Sequence, residues 1–184
     1  LALNADYSMV SVSGYGIISG FTNDGNKIPQ QTIPQYYDKL GFSYNKFADS
    51  ITVSETEWDF ERYKPDIIVI NLGTNDMSYA TTDERKAEFE DGYLDFLKKV
   101  RSLNPDSYIF QTYGVMGTSL EENIENVRRK YMSETGDERI TFIPLTMQDE
   151  DADGIVADWH PSPKTHSLVS QRVASAIKET LGYK

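Results

Sequence analysis

Three short clusters hold the polar side chains that can act together. Asp158-Trp159-His160 contains one of only two histidines in the 184 residues. Pro161-Ser162-Pro163 follows it, a pattern in which Ser162 caps a helix and Pro163 is its first residue. The backbone of His160 is then held just outside a helix start, which is the fixed placement a general base needs. Gly73-Thr74-Asn75-Asp76 follows a buried-strand pattern, and Asn75 there can donate a side-chain N–H into a site above a sheet. Gly14, in Ser13-Gly14, has no side chain and can bring its backbone N–H to a ligand. One backbone N–H and one amide N–H make an oxyanion hole, in which a single donor is worth about 10²–10³ in rate. Each residue alone has a plainer reading. His160 reads as a surface-loop histidine, Asn75-Asp76 as a turn pair, and Trp159 as a half-buried loop aromatic. His166, in the first turn of the helix that follows, reads as a packing or hydrogen-bonding residue.

The pattern of apolar residues supplies elements to carry these clusters. Tyr7–Val12 is a β-prone run that ends in the loop Ser13-Gly14-Tyr15-Gly16. Asp66–Asn71 contains the continuous run Ile67-Ile68-Val69-Ile70, which reads as a strand covered on both faces. Ser107–Thr112 and Ile140–Ile143 are further strands. Thr82–Leu103, Ser119–Ser133 and Pro161–Leu181 carry helical periodicity, the first with Asp83 and Glu84 near its start. Strand and helix alternate, so the expected fold is α/β, three-layer α/β/α with a mostly parallel central sheet. Gly20–Trp58 is rich in Gly, Pro, Asn, Ser and Thr and reads as an irregular excursion with one short helix near Ile33–Leu40. In open α/β sheets, sites form at the carboxyl ends of the strands, and all three clusters fall in loops of that kind.

Composition narrows the function classes. Hydrophobic residues are 39% and charged residues 26%, ordinary for one globular domain. The longest apolar run is too short to span a membrane, and no signal peptide is visible. The net charge of −11 argues against nucleic acid as a partner. Zero cysteines remove disulfides, thiolate zinc sites and a cysteine nucleophile together. Cofactor motifs fail as well. Asp149-Glu150-Asp151-Ala152-Asp153-Gly154 starts like a calcium loop, but its twelfth position is His160 rather than Glu. Gly14-x-Gly16 has Ser19 where a dinucleotide loop needs its third glycine. No cofactor and no metal are expected.

Pro65-Asp66-Ile67-Ile68-Val69-Ile70-Asn71-Leu72-Gly73-Thr74-Asn75-Asp76 resembles the third sequence block of the SGNH (GDSL-type) hydrolases. Ser11-Val12-Ser13-Gly14 resembles their second block, and Asp158-Trp159-His160-Pro161-Ser162 their last. With Trp58-Asp59-Phe60 and His166 included, the series is similar to family 2 carbohydrate esterases. The resemblance extends over nearly the whole chain. It implies a flavodoxin-like fold and removal of O-acetyl groups from plant polysaccharide or oligosaccharide through an acyl-serine intermediate. It implies His160 as base, Gly14 and Asn75 as oxyanion donors, and Trp159 packed on the sugar. Secretion is implied by the substrate class, and an upstream β-sandwich domain by the family. A carbohydrate-binding module on the same fold, or an SGNH lipase, thioesterase or acyltransferase, stands as the alternative. Oligomeric state leaves no trace.

Two departures from the family pattern matter. The last block is ordinarily Asp-x-x-His, but Ala157 stands three residues before His160 and Asp158 only two. Either Asp158 or a main-chain carbonyl then orients the imidazole, the latter leaving a Ser-His dyad. The first block, with its serine, is absent. The chain begins at Leu1, with Leu1-Ala2-Leu3-Asn4-Ala5 reading like a helix end, so residues 1–184 are expected to be a single domain that lacks its first strand and nucleophile. Phe47-Ala48-Asp49-Ser50-Ile51-Thr52 imitates the missing block, but it falls after Ser13-Gly14 and no strong apolar strand precedes it. Ser50 is therefore the weaker candidate. Ser11 and Ser13 lack a nucleophile elbow and are weaker still.

Overall fold

Ile67-Ile68-Val69-Ile70 is β-branched throughout, which suits a strand, and it forms the first strand of a three-stranded parallel sheet. The structure, a computed structural model, describes residues 3–42, 46–47 and 51–183. A two-residue antiparallel ladder, β1 (Lys46–Phe47) with β2 (Ile51–Thr52), lies in the excursion. The sheet is β3 (Ile67–Asn71), β4 (Tyr108–Val115) and β5 (Ile140–Met147), in that spatial order. Ile67 lies opposite Tyr108, and Ile109 opposite Ile140.

Alternation along each strand sends side chains to two faces. Ile68, Ile70, Ile109 and Tyr113 pack with Phe89, Tyr93, Leu97 and Val100 of α1 (Asp83–Leu103) and with Ile124 and Val127 of α2 (Glu121–Thr135). Phe110, Ile143 and Leu145 face the other way, onto Ile177, Val169 and Val173 of α4 (Pro163–Leu181). Helices on both faces make the three-layer α/β/α sandwich that the pattern predicts. Each large side chain buried this way contributes about 1.5–3 kcal/mol.

The helix ends follow their residues. The Thr82 side chain accepts the Arg85 N–H, with Asp83 and Glu84 in the first turn, where the helix dipole favours anions. Ser162 accepts the Thr165 N–H, with Pro163 as first residue of α4. Gly136 ends α2 in the left-handed conformation, φ +70°.

Several expected boundaries move. β4 and β5 run further than Thr112 and Ile143, because Tyr113 and Leu145 continue the buried alternation. The β4–β5 register shifts between Tyr113 and Val115, where Gly114 (φ +145°) and Val115 (φ +43°) leave the extended region. Tyr7–Val12 is not a strand. It is mostly exposed and pairs with no strand among the described residues, so its β-prone side chains have no ladder to join. The expected helix near Ile33–Leu40 shrinks to the single 3₁₀ turn Ile33–Gln35. A short helix not anticipated, α3 (Glu150–Asp153), sits in the acidic loop, capped by the Asp149 side chain on the Ala152 N–H. Among the described residues β3 is paired on one side only, and its Val69 is 46% exposed.

Candidate active site

The loop Gly14–Ser19 is assembled from far along the chain. Asp76 is fully buried, and its carboxylate accepts the backbone N–H groups of Ile17 (2.9 Å), Ile18 (2.8 Å) and Ser19 (3.1 Å). Three consecutive N–H groups around one carboxylate form an anion nest occupied by the protein's own side chain. Burial pushes the Asp76 carboxyl above the usual carboxylate range, against the opposing pull of those N–H groups. A Cβ at Gly16 would overlap both this carboxylate and the Ser19 carbonyl, so the close approach requires glycine there. The neighbouring Asn75 donates from Nδ2 to the Tyr15 carbonyl at 2.8 Å. Gly16 also pairs with the excursion, donating to the Gln31 carbonyl (3.1 Å) and accepting from Ile33 N–H (2.8 Å).

Gly14 and Asn75 are thereby brought together. Gly14 has φ +79°, and the space where its Cβ would stand is open. Its carbonyl accepts the Phe21 N–H at 2.9 Å. Asn75 Nδ2 carries two hydrogens, so one remains for a ligand once the other goes to Tyr15. The 3₁₀ turn Asp76–Ser78 begins directly after Asn75 and carries the buried Asp76.

His160 stands at the same end of the sheet, in the loop beyond β5. Its Nδ1 lies 3.1 Å from the Ala157 carbonyl oxygen, and its backbone N–H donates to that oxygen at 3.2 Å. A carbonyl only accepts, so Nδ1 carries the proton of the neutral ring and Nε2 presents its lone pair. Of the two orienting acceptors left open by the sequence, the ring meets the main-chain one. Asp158 is exposed and left-handed (φ 55°, ψ 36°), and Trp159 after it is left-handed too (φ 60°). Non-glycine residues held there cost about 1–3 kcal/mol each and gather at functional sites. Trp159 is 65% exposed, and Met147, Ile155 and Val156 of the same stretch of chain are exposed as well. The loop closes on itself through Val156 N–H to the His160 carbonyl (2.9 Å), and Ser162 Oγ donates to the Asp153 carbonyl (2.6 Å).

Ser50 lies outside the described residues. Ser162 is the helix cap, and Ser11 and Ser13 precede the Gly14 loop. Among the described residues no group of three or more His, Asp or Glu side chains is placed to hold a metal ion. The same residues contain no helix long and apolar enough to cross a membrane.

A three-layer α/β/α sandwich on a parallel sheet, with Asn75 after β3 tied to the Gly14 loop and His160 in the loop beyond β5, is the architecture of an SGNH-type hydrolase body. Residues 12–168 match the GDSL-like lipase/acylhydrolase family, and the chain belongs to that family. It is 32% identical, over 98% of its length, to the cellulase/esterase CelE of Acetivibrio thermocellus, of which it spans 21%. An acetyl xylan esterase, Est2A, from the rumen bacterium Butyrivibrio proteoclasticus superposes with a TM-score of 0.88 at 27% identity, over 99% of this chain and 53% of that one. A family two carbohydrate esterase from Clostridium thermocellum, solved with cellohexaose, gives 0.72 at 30% identity over 93% of this chain and 49% of that one. The chain thus spans about half or less of the length of these relatives.

Proposed function

We propose that this chain is the greater part of the catalytic domain of a carbohydrate esterase that removes O-acetyl groups from polysaccharide or oligosaccharide. The observation that carries the reading is the His160 ring, turned by a main-chain carbonyl so that Nε2 is free to take a proton at the carboxyl end of the sheet. His160 accepts the proton of a serine hydroxyl as that oxygen attacks the acetyl carbon. The oxyanion that forms takes hydrogen bonds from the Gly14 N–H and from the second Asn75 Nδ2 hydrogen. His160 returns the proton to the sugar oxygen, which leaves. Water then attacks the acetyl-serine as His160 takes its proton, and His160 passes that proton to the serine oxygen as the acyl bond breaks and acetate departs. Trp159 offers an exposed aromatic face to the sugar.

The serine is supplied, in this reading, by a strand upstream of Leu1 that pairs along the free edge of β3. The half-exposed Val69, and β3 having one partner strand among the described residues, favour that position. The Ala157 carbonyl orients the base, so catalysis runs on a Ser-His dyad and Asp158 has a lesser part. Extracellular action on plant polysaccharide fits the acetyl xylan esterase and the family two carbohydrate esterase that this chain resembles.

The test is acetate release from an aryl acetate and from acetylated xylan by the complete protein, by this chain alone, and by His160→Ala. Loss of about 10²–10⁴-fold in the variant is expected. Retained turnover would overturn the assignment of the base. Oligosaccharide binding without acetate release by the complete protein would favour a binding module, a reading that the exposed Trp159 also suits. Preference for long acyl chains would favour a lipase or thioesterase.

A further inference from the structure

The Ala157 carbonyl that orients His160 belongs to the same short turn as the histidine. Their hydrogen bond therefore fixes the ring relative to the turn; the turn's far side is held by the Ser162 cap of α4, and its near side needs a tie to the strand ends. The turn holds two consecutive left-handed residues, Asp158 and Trp159, that only outside restraint keeps in place. Gln148 follows β5 directly. Its backbone N–H donates to the carbonyl of Val115, the last residue of β4, at 2.9 Å. Its side-chain Nε2 donates to the Trp159 carbonyl at 2.9 Å. That carbonyl is part of the peptide bond whose nitrogen belongs to His160. Only the amide nitrogen can donate to a carbonyl, so chemistry fixes which way the Gln148 amide lies. Its Oε1 is buried without a hydrogen-bond partner, so Nε2 carries the side chain's connection.

We propose that Gln148 is a positioning residue for His160, the post that ties the His160 turn to the ends of β4 and β5. The inference rests on the reading of His160 as the base. Where a side-chain carboxylate anchored elsewhere would orient a catalytic histidine from outside its turn, this chain uses a carbonyl within the turn and anchors the turn itself through Gln148. The Trp159–His160 peptide is held at its oxygen, so one contact sets both the direction of the imidazole and the presentation of the indole.

Two variants test this: Gln148→Met, which keeps length without a donor, and Gln148→Ala. The first readout is the ring signals of the two histidines by ¹⁵N–¹H NMR in this chain, after a melting curve shows the variant folded. The His160 signals should move and their Nδ1 proton exchange faster in both variants, with His166 as the internal control. In the complete enzyme, kcat for an aryl acetate should fall about 10²-fold with little change in KM, the loss expected of a catalytic group displaced by about 1 Å. His160 signals that superimpose on the parent's in both variants, or an unchanged kcat, would overturn the role of Gln148 alone. Full turnover by His160→Ala would overturn the assigned base, and the role of Gln148 with it.

Discussion

Asp76→Ala should weaken the fold more than any substitution at an exposed site of this chain, and the structure gives the size of the effect. The change leaves the N–H groups of Ile17, Ile18 and Ser19 without their acceptor. A buried donor left unsatisfied costs about 1–3 kcal/mol, so three cost about 3–9 kcal/mol before any relaxation. Against that, the variant no longer buries a carboxylate, the burial that raises the Asp76 pKa. Removing one partner from a buried charged network costs about 3–5 kcal/mol, and we expect about 4 kcal/mol here. For a domain of this size that is a fall in Tm of about 8–16 °C. Urea unfolding followed by far-UV circular dichroism reads it directly. Gly16→Ala, whose Cβ would strike the same carboxylate, should destabilise comparably, and the double variant should cost less than the sum because both act on one network. A loss under 1 kcal/mol for Asp76→Ala would refute the claim that this carboxylate holds the loop.

Asn75→Ala in the complete enzyme should lower kcat about 10²–10³-fold, the worth of one oxyanion donor, in steady-state assays with an aryl acetate. Asp158→Ala should cost less than about 10-fold where His160→Ala costs about 10²–10⁴-fold; equal losses would restore Asp158 as the orienting acceptor. Asp24 is held ionised by the Asn26 N–H and by the Thr22 and Asn26 side chains, which lower its pKa from 3.8 to about 2. Its stabilising contribution is complete above 3.8 and fades as pH falls towards about 2, and an NMR titration of its carboxyl carbon should show that midpoint. Val69→Lys should leave this chain's stability within about 0.5 kcal/mol, because Val69 is half exposed here. In the complete enzyme the same change should destabilise by more than 1 kcal/mol if an upstream strand covers that face, and equal melting shifts in both would argue against the cover.

The core of the fold was legible because periodicity reports it. The apolar run at Ile67–Ile70 and the spacing of Phe89, Tyr93, Leu97 and Val100 gave β3 and α1 to within a residue or two. Tyr7–Val12 misled because β-propensity describes a side chain's fit to a sheet, and no strand stands beside it among the described residues. At the site, Gly14, Asn75 and His160 were visible as residue types in loops of the right kind. Asp76 was not, since its partners are backbone N–H groups of Ile17–Ser19, which any residues would provide. The Ala157 carbonyl could be named only as an alternative to Asp158 for the same reason. Gln148 left no signal, because a side chain that meets a main-chain oxygen needs no matching residue. Gly16 could be read as a loop residue and as part of a failed nucleotide loop, whereas the Asp76 carboxylate is what demands it.

The side of β3 that is unpaired among the described residues has a consequence for handling the molecule. Five residues, Ile67–Asn71, present a parallel-sheet edge with half-exposed Val69 beside it. Such an edge is a template for any extended peptide of suitable pattern, whether joined to the chain or not. A donor strand supplied as a separate peptide can therefore dock there, which makes split-protein complementation a practical format. If, as proposed, such a strand carries the serine, mixing the two pieces should give acetate release with a concentration dependence that reports the affinity of the strand itself. Without such a donor, the same edge can recruit a second copy, so concentrated stocks should be kept short-lived or protected by a capping peptide.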